Sequence, residues 1–135
     1  MSSKLNKKQL EKYSRQIILK NIGVLGQKKI LNSRVLIIGM GGLGCPVAEF
    51  LTRSGIGMLG IMDHDLVSIS NIHRQSLYNE KDIDKSKVKI AKKKLKNINS
   101  KTKVNIYNFK LDKKNYIKII KNYDYIVDGS DNFES

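Results

Sequence analysis

The stretch VLIIGMGGLGCP, residues 35–46, constrains the fold of this chain more than any other. Four apolar residues run into glycines at 39, 41, 42 and 44, so four of the ten glycines in the chain fall within six positions. Glycine clusters of this kind stand where backbone must approach something closely, or turn where a Cβ would collide. A strand, a Gly-x-Gly-x-x-Gly turn made by Gly39, Gly41 and Gly44, and a helix start make a nucleotide phosphate the first candidate. Taken alone, the spacing fits NAD, FAD and several ATP-using sites, or a turn kept only for tight packing of helix on strand.

Apolar runs bounded by turn residues predict strands at 35–39, 58–63, 104–109 and 124–129, with helical patterns at 42–54, 85–98 and 113–121 between them. Strands alternating with helices argue for an α/β fold, a Rossmann-like, doubly wound, mainly parallel sheet. Ahead of the first strand, KKQLEKYSRQIIL and VLGQKKILNS read as two short helices, or a helix and a turn. No repeat or linker divides the chain, so residues 1–135 are expected to form one domain. The sequence stops six residues beyond Gly129, where such a sheet would continue, and the domain is therefore expected to be incomplete at its C-terminus.

The net charge of +14 invites a nucleic-acid reading, but its distribution argues otherwise. Residues 85–121 hold 14 of the 26 basic residues and one acid, so nearly all the excess sits in one segment. There Val88, Ala91, Leu95 and Ile98 recur at helical spacing, and most lysines fall on the other faces, as on a solvated helix surface. Interleaved arginines and aromatics are absent, so no nucleic-acid partner is expected. No apolar run approaches a membrane span and no export signal precedes the domain, which predicts a cytoplasmic location. Cys45 is the one cysteine, leaving no internal disulfide and no multi-cysteine metal site.

Asp63 closes the second strand pattern nineteen residues after Gly44, where a dinucleotide fold places the acid that binds ribose hydroxyls. The segment after it, HDLVSISNIHRQSLYNEKDIDKSKV, is unlike a simple Rossmann connection. It packs Asp65, Asn71, Arg74, Gln75 and Lys87 into one polar crossover above the strand ends. Two cations there, Arg74 and Lys87, suit a triphosphate, since positive groups stabilise charge that builds on phosphorus during nucleotidyl transfer. Asp131, after the fourth strand, could hold a magnesium ion sharing that task. Arginine is scarce, four against 22 lysines, which makes Arg74 the more specific signal.

YSRQIIL, GVLGQKKILNSRVLIIGMGGLGCPVAEFL, GIGMLGIMDHDLVSISNIHRQSLYNEKDIDKSKV and DYIVDGSDNF together resemble the ThiF/MoeB/HesA adenylyltransferases, relatives of ubiquitin-activating enzymes, over about residues 9–133. The resemblance implies an enzyme that uses ATP and Mg2+ to adenylate the C-terminal glycine carboxylate of a ubiquitin-like sulfur-carrier protein ending in Gly-Gly, releasing pyrophosphate. Such carriers serve thiamine or molybdopterin biosynthesis. It implies that Gly39, Gly41, Gly42 and Gly44 sit against the nucleotide and that Asp63 holds the ribose. Ser70, Asn71, Ile72, His73 and Arg74 would line the phosphate site, and Lys87 would contact the phosphates. Asp131 would take the metal, with Asn132 flanking the α-phosphate, and Arg15 would reach the ATP of a partner subunit, hence a homodimer. The structural Zn2+ site of the family lies outside these 135 residues. A carboxylate attacking the α-phosphate needs cations and a metal more than a general base, in accord with this residue set. Cys45 then reads as a small packing residue, and His73 and His64 as polar bystanders. The competing reading is an inactive fragment or an NAD-binding Rossmann module.

Overall fold

The computed structural model describes residues 4–130. Three short helices, α1 (Lys7–Lys12), α2 (Ser14–Ile17) and α3 (Gly23–Leu31), lead into β1 (Arg34–Ile38), α4 (Gly44–Ser54) and β2 (Met58–Met62). A long crossover carrying two 3-10 turns, Ile69–Asn71 and Glu80–Asp82, then reaches α5 (Lys87–Ile98), β3 (Lys103–Tyr107), α6 (Tyr116–Ile120) and β4 (Tyr125–Asp128). The four strands form one sheet in the order β3-β2-β1-β4, parallel throughout. It is the doubly wound α/β arrangement that the alternation of strand and helix patterns predicts.

Period-two alternation sorts the strand residues between two apolar layers. Val35, Ile37, Leu59, Ile61 and Val104 join one cluster with Ala48 of α4 and Val88, Ala91 and Leu95 of α5. Leu36 and Met62 point the other way, onto Ile119 and Tyr123. Leu36, Ile37, Leu59, Ile61 and Leu95 are each sealed from solvent. Burial of each such side chain contributes about 1.5–3 kcal/mol. The predicted stripe of α5 is the buried one, while Lys89, Lys92 and Lys93 face water.

Two differences from the predicted elements have local causes. The helix expected over 113–121 begins only at Tyr116, because the Asp112 carboxylate accepts from the N–H groups of Lys114 and Asn115 and holds a turn instead. The third strand ends at Tyr107, and Phe109 to Leu111 turn outward to wall the cleft described below.

Polar contacts close the end of the sheet where the strands begin. Gln27 of α3 donates through Nε2 to the Ser54 carbonyl at 2.9 Å, and Gln16 Nε2 donates to Gln27 Oε1 at 2.6 Å, pinning α2 and α3 to the C-terminus of α4. Asn99, just past α5, donates through Nδ2 to the Tyr13 hydroxyl and the Thr52 carbonyl, both at 3.0 Å, and so anchors the N-terminal segment. No helix among the described residues is long and apolar enough to cross a membrane.

Candidate functional site

At the opposite end, where the strands finish, a cleft of about 430 Å3 opens between the tips of β1, β2 and β4 and the start of α5. Open parallel sheets bind ligands at this carboxyl edge. Its floor is the glycine turn. Gly39 has φ +93°, a left-handed conformation that side chains rarely adopt, and the Ser130 backbone nitrogen would lie 2.8 Å from any Cβ there. Gly44 opens α4, and a Cβ on it would fall 1.8 Å from the Gly39 carbonyl oxygen. The two glycines let β1 pass directly into α4, and a helix N-terminus favours an anion.

The turn is tied down from three sides. Met40 N–H donates to Asp63 Oδ2 at 2.8 Å, and the Met40 carbonyl accepts from the Tyr78 hydroxyl at 2.8 Å and from Cys45 Sγ at 3.3 Å. Burial pushes the Cys45 thiol above its ordinary pKa and the Tyr78 phenol far above its own, so both stay neutral. Cys45 is thus a small buried donor, as the packing reading of it expects.

Asp63 stands just past β2 and accepts a second backbone bond, from Asp65 N at 2.9 Å, which fixes its carboxylate at the cleft wall. Each carboxylate oxygen accepts more than one bond, so both keep capacity for hydroxyl donors. Lys87, the first residue of α5, is 6% exposed, borders the same cleft, and makes no ion pair among the described residues. A buried, unpaired ammonium beside an anion-binding turn is a phosphate-seeking group. Ile38, Met62, Phe109 and Leu111 add apolar wall, of the kind that covers a nucleobase.

The SNIHR segment is distributed by the 3-10 turn. Asn71 is buried and spends Oδ1 on the Ser68 N–H at 2.9 Å, which fixes the turn. Ile72 packs against the core, whereas Ser70 and His73 are exposed. Arg74 is exposed beside the glycine turn and is not among the residues that line the cleft: its Nη1 donates to the Ser70 carbonyl at 2.8 Å, and its stem comes within 3.8 Å of the position a Cβ on Gly42 would take. His64, also exposed, lies beside Asp65 at 3.5 Å. Arg15 sits on α2, whose neighbour Gln16 bonds to Ser54 at the far end of α4, so this chain's own cleft is about one α4 length from it. Asp131 and Asn132 lie outside the described residues.

Sequence reasoning placed Gln75 in the polar crossover without giving it a task, and the cleft places it among its lining groups. Phe109 and Leu111 carried no motif signal at all. Their part becomes visible only once β3 ends at Tyr107.

Known proteins resemble this chain in sequence and in fold. The chain is 48% identical over 128 residues to the adenylyltransferase and sulfurtransferase MOCS3 of Dictyostelium discoideum, across 95% of this chain and 30% of that protein. It is 39% identical to the sulfur carrier protein adenylyltransferase of Thermus thermophilus, across 94% of this chain and 47% of that one. Among solved structures, Escherichia coli MccB with AMPCPP and MccA superposes with a TM-score of 0.81 at 29% identity, over 96% of this chain and 39% of MccB. The chain thus spans about a third to a half of the relatives it matches. The model of the ThiF family matches residues 13–135, nearly the full length, and the chain belongs to the ThiF family.

Proposed function

We propose that this chain carries the nucleotide site of an ATP-dependent adenylyltransferase acting on the C-terminal glycine carboxylate of a ubiquitin-like sulfur carrier, with pyrophosphate released. One observation carries the reading. The buried, unpaired Lys87 and the fixed Asp63 carboxylate stand on one cleft over a helix-opening glycine turn. A dinucleotide-binding site of the NAD type needs the turn and the acid but no buried cation over the strand ends. Relatives named as adenylyltransferases, one of them for a sulfur carrier, support the same reading.

In this scheme Asp63 accepts from the ribose hydroxyls, and backbone N–H groups of Gly41 and Gly42 face the phosphates. Lys87, and Arg74 swinging from the rim, meet the negative charge that grows on the α-phosphate and on the departing pyrophosphate. Ser70 and Asn71 hold the rim in register for Arg74. The incoming carboxylate needs no base, because it is already ionised at neutral pH. Magnesium ions require hard oxygen donors. The cleft mouth offers the carboxylates of Asp63 and Asp65, whose ligand atoms lie with one of His64 within 4.8 Å of one another, so its chemistry suits the ion. Asp131 is the residue proposed to hold it, with Asn132 beside the α-phosphate, and the ion when bound neutralises phosphate charge. Arg15 is proposed to serve the site of a second subunit in a homodimer, which agrees with its distance from its own cleft. The names of the relatives favour a carrier of molybdopterin or related sulfur transfer over one of thiamine synthesis.

The test is ATP–pyrophosphate exchange with purified protein, Mg2+ and carrier. Exchange that needs a carrier with an intact C-terminal glycine is expected. An upward melting shift with NAD and none with Mg·ATP would overturn the proposal.

A further inference from the structure

Gln75 is a buried polar side chain that the scheme above leaves unused. It is 4% exposed. Its N–H donates to the Asn71 carbonyl at 2.8 Å, and its carbonyl accepts from Tyr78 N–H at 3.1 Å, so its backbone is fixed beneath the glycine turn. There Nε2 lies 3.3 Å from the position a Cβ on Gly41 would occupy, and the side chain borders the cleft. Its Oε1 is shut from solvent with no hydrogen-bond partner. Buried polar atoms almost always find partners, and one that does not marks a place where something other than stability is served. Thr52 Oγ1, the other such atom among the described residues, belongs to α4 near its C-terminus, remote from the cleft.

We infer that Gln75 is a nucleotide-binding residue, whose carboxamide donates through Nε2 to a phosphate oxygen laid over Gly41. The inference rests on the ATP reading and adds to it a neutral, directional contact. The end of the amide turned toward the glycine turn is the donor, and a phosphate offers acceptors only. Glycine at 41 leaves no side chain between donor and ligand. Lys87 borders the same cleft and Arg74 lies against the neighbouring Gly42, and both cations draw anionic ligand to this side of the turn. Two cations attract a triphosphate without fixing its rotation, whereas an amide held at both backbone ends admits one direction of bonding.

The experiment uses Gln75→Met, which keeps the volume and removes both polar ends, and Gln75→Glu, which keeps the shape and turns the donor into a negative acceptor. Melting temperature without ligand and the Kd for Mg·ATP are measured for both beside the wild type. The expected result is an unliganded melting temperature unchanged or a few degrees higher in Gln75→Met, because an orphaned oxygen is gone. Its Mg·ATP affinity is expected to fall about tenfold, and that of Gln75→Glu further, as the donor to a charged acceptor is lost and then replaced by a like charge. Wild-type binding with both variants within twofold of it would overturn the inference and leave the ATP reading standing. Affinity lost only together with the melting transition in both variants would assign Gln75 a structural role and overturn it as well. No binding of Mg·ATP by the wild type would remove the reading beneath it.

Discussion

Two buried glutamines sit at opposite ends of one sheet and are treated in opposite ways. Gln27, where the strands begin, is fully enclosed and bonded at both ends of its amide, to Ser54 and from Gln16. Gln75, where the strands finish, is almost as enclosed and leaves its oxygen without a partner. Most of their neighbours follow suit, Thr52 Oγ1 at the first end being an exception. Asn99 and Thr102 at the first end are buried and bonded, the latter through Oγ1 to the Ile56 carbonyl at 2.8 Å. Lys87 at the second end is buried and has no ion-pair partner among the described residues. Satisfied polar groups hold a fold together, and a buried cation without an ion-pair partner is tolerated where an anionic ligand completes it.

The contrast is sharpest in Lys87→Ala and Arg74→Ala. Each is expected to lower ATP–pyrophosphate exchange by about 100-fold or more while leaving the melting temperature nearly unchanged. Exchange close to wild type in Lys87→Ala would break the contrast at its strongest point. The converse substitution, Gln27→Met, removes the bond to the Ser54 carbonyl and the bond from the Gln16 amide, which are left with only each other, at 3.0 Å. Unfolding in urea is expected to show a loss of about 2 kcal/mol, with Mg·ATP affinity unaltered.

A smaller effect separates the two ends by reactivity. Cys45 carries a buried thiol with its pKa raised by desolvation, so alkylation at neutral pH should be slow until denaturant opens the core, as read by mass spectrometry. Rapid labelling of native protein would show the glycine turn to be loose. The smallest effect concerns the ion pair Lys94 Nζ to Asp82 Oδ2, at 2.6 Å. Burial raises the Asp82 pKa, but the bonds from Lys94 and the Asn79 N–H outweigh it and leave the carboxyl below its usual value. A depressed folded-state pKa contributes stability above the unfolded pKa and loses it as pH falls through the folded one. Lys94→Met is therefore expected to cost about 0.5–1 kcal/mol near pH 7 and progressively less below about pH 4, in urea titrations across pH.

Much of this was legible in the sequence because its signals are local. Gly39 and Gly44 announce a turn that only residues without a Cβ complete, and the alternation through 35–38 and 58–62 places two strands to within a residue or two. Asp63 was legible through its distance from that turn, and Lys87 through its place on the polar crossover and the family resemblance. The tasks of Asn71, Ile72 and Gln75 were not, because neighbours in one short polar segment are sorted into cap, core and cleft by a 3-10 turn that leaves no periodic signal. Phe109 was hidden for a related reason. Its place on the cleft follows from where β3 stops, a boundary set by tertiary packing.

The strand order bears on how the molecule comes into being. β1 is central, and its second partner is β4, with Val35 opposite Tyr125. A chain synthesised from its N-terminus must hold one edge of this interior strand open while about ninety further residues emerge. At ribosomal speed that wait lasts on the order of 5–20 s. Through that interval a run of Val, Leu and Ile backbone is available to any passing strand, so the step most exposed to aggregation is the pairing of β1 with β4.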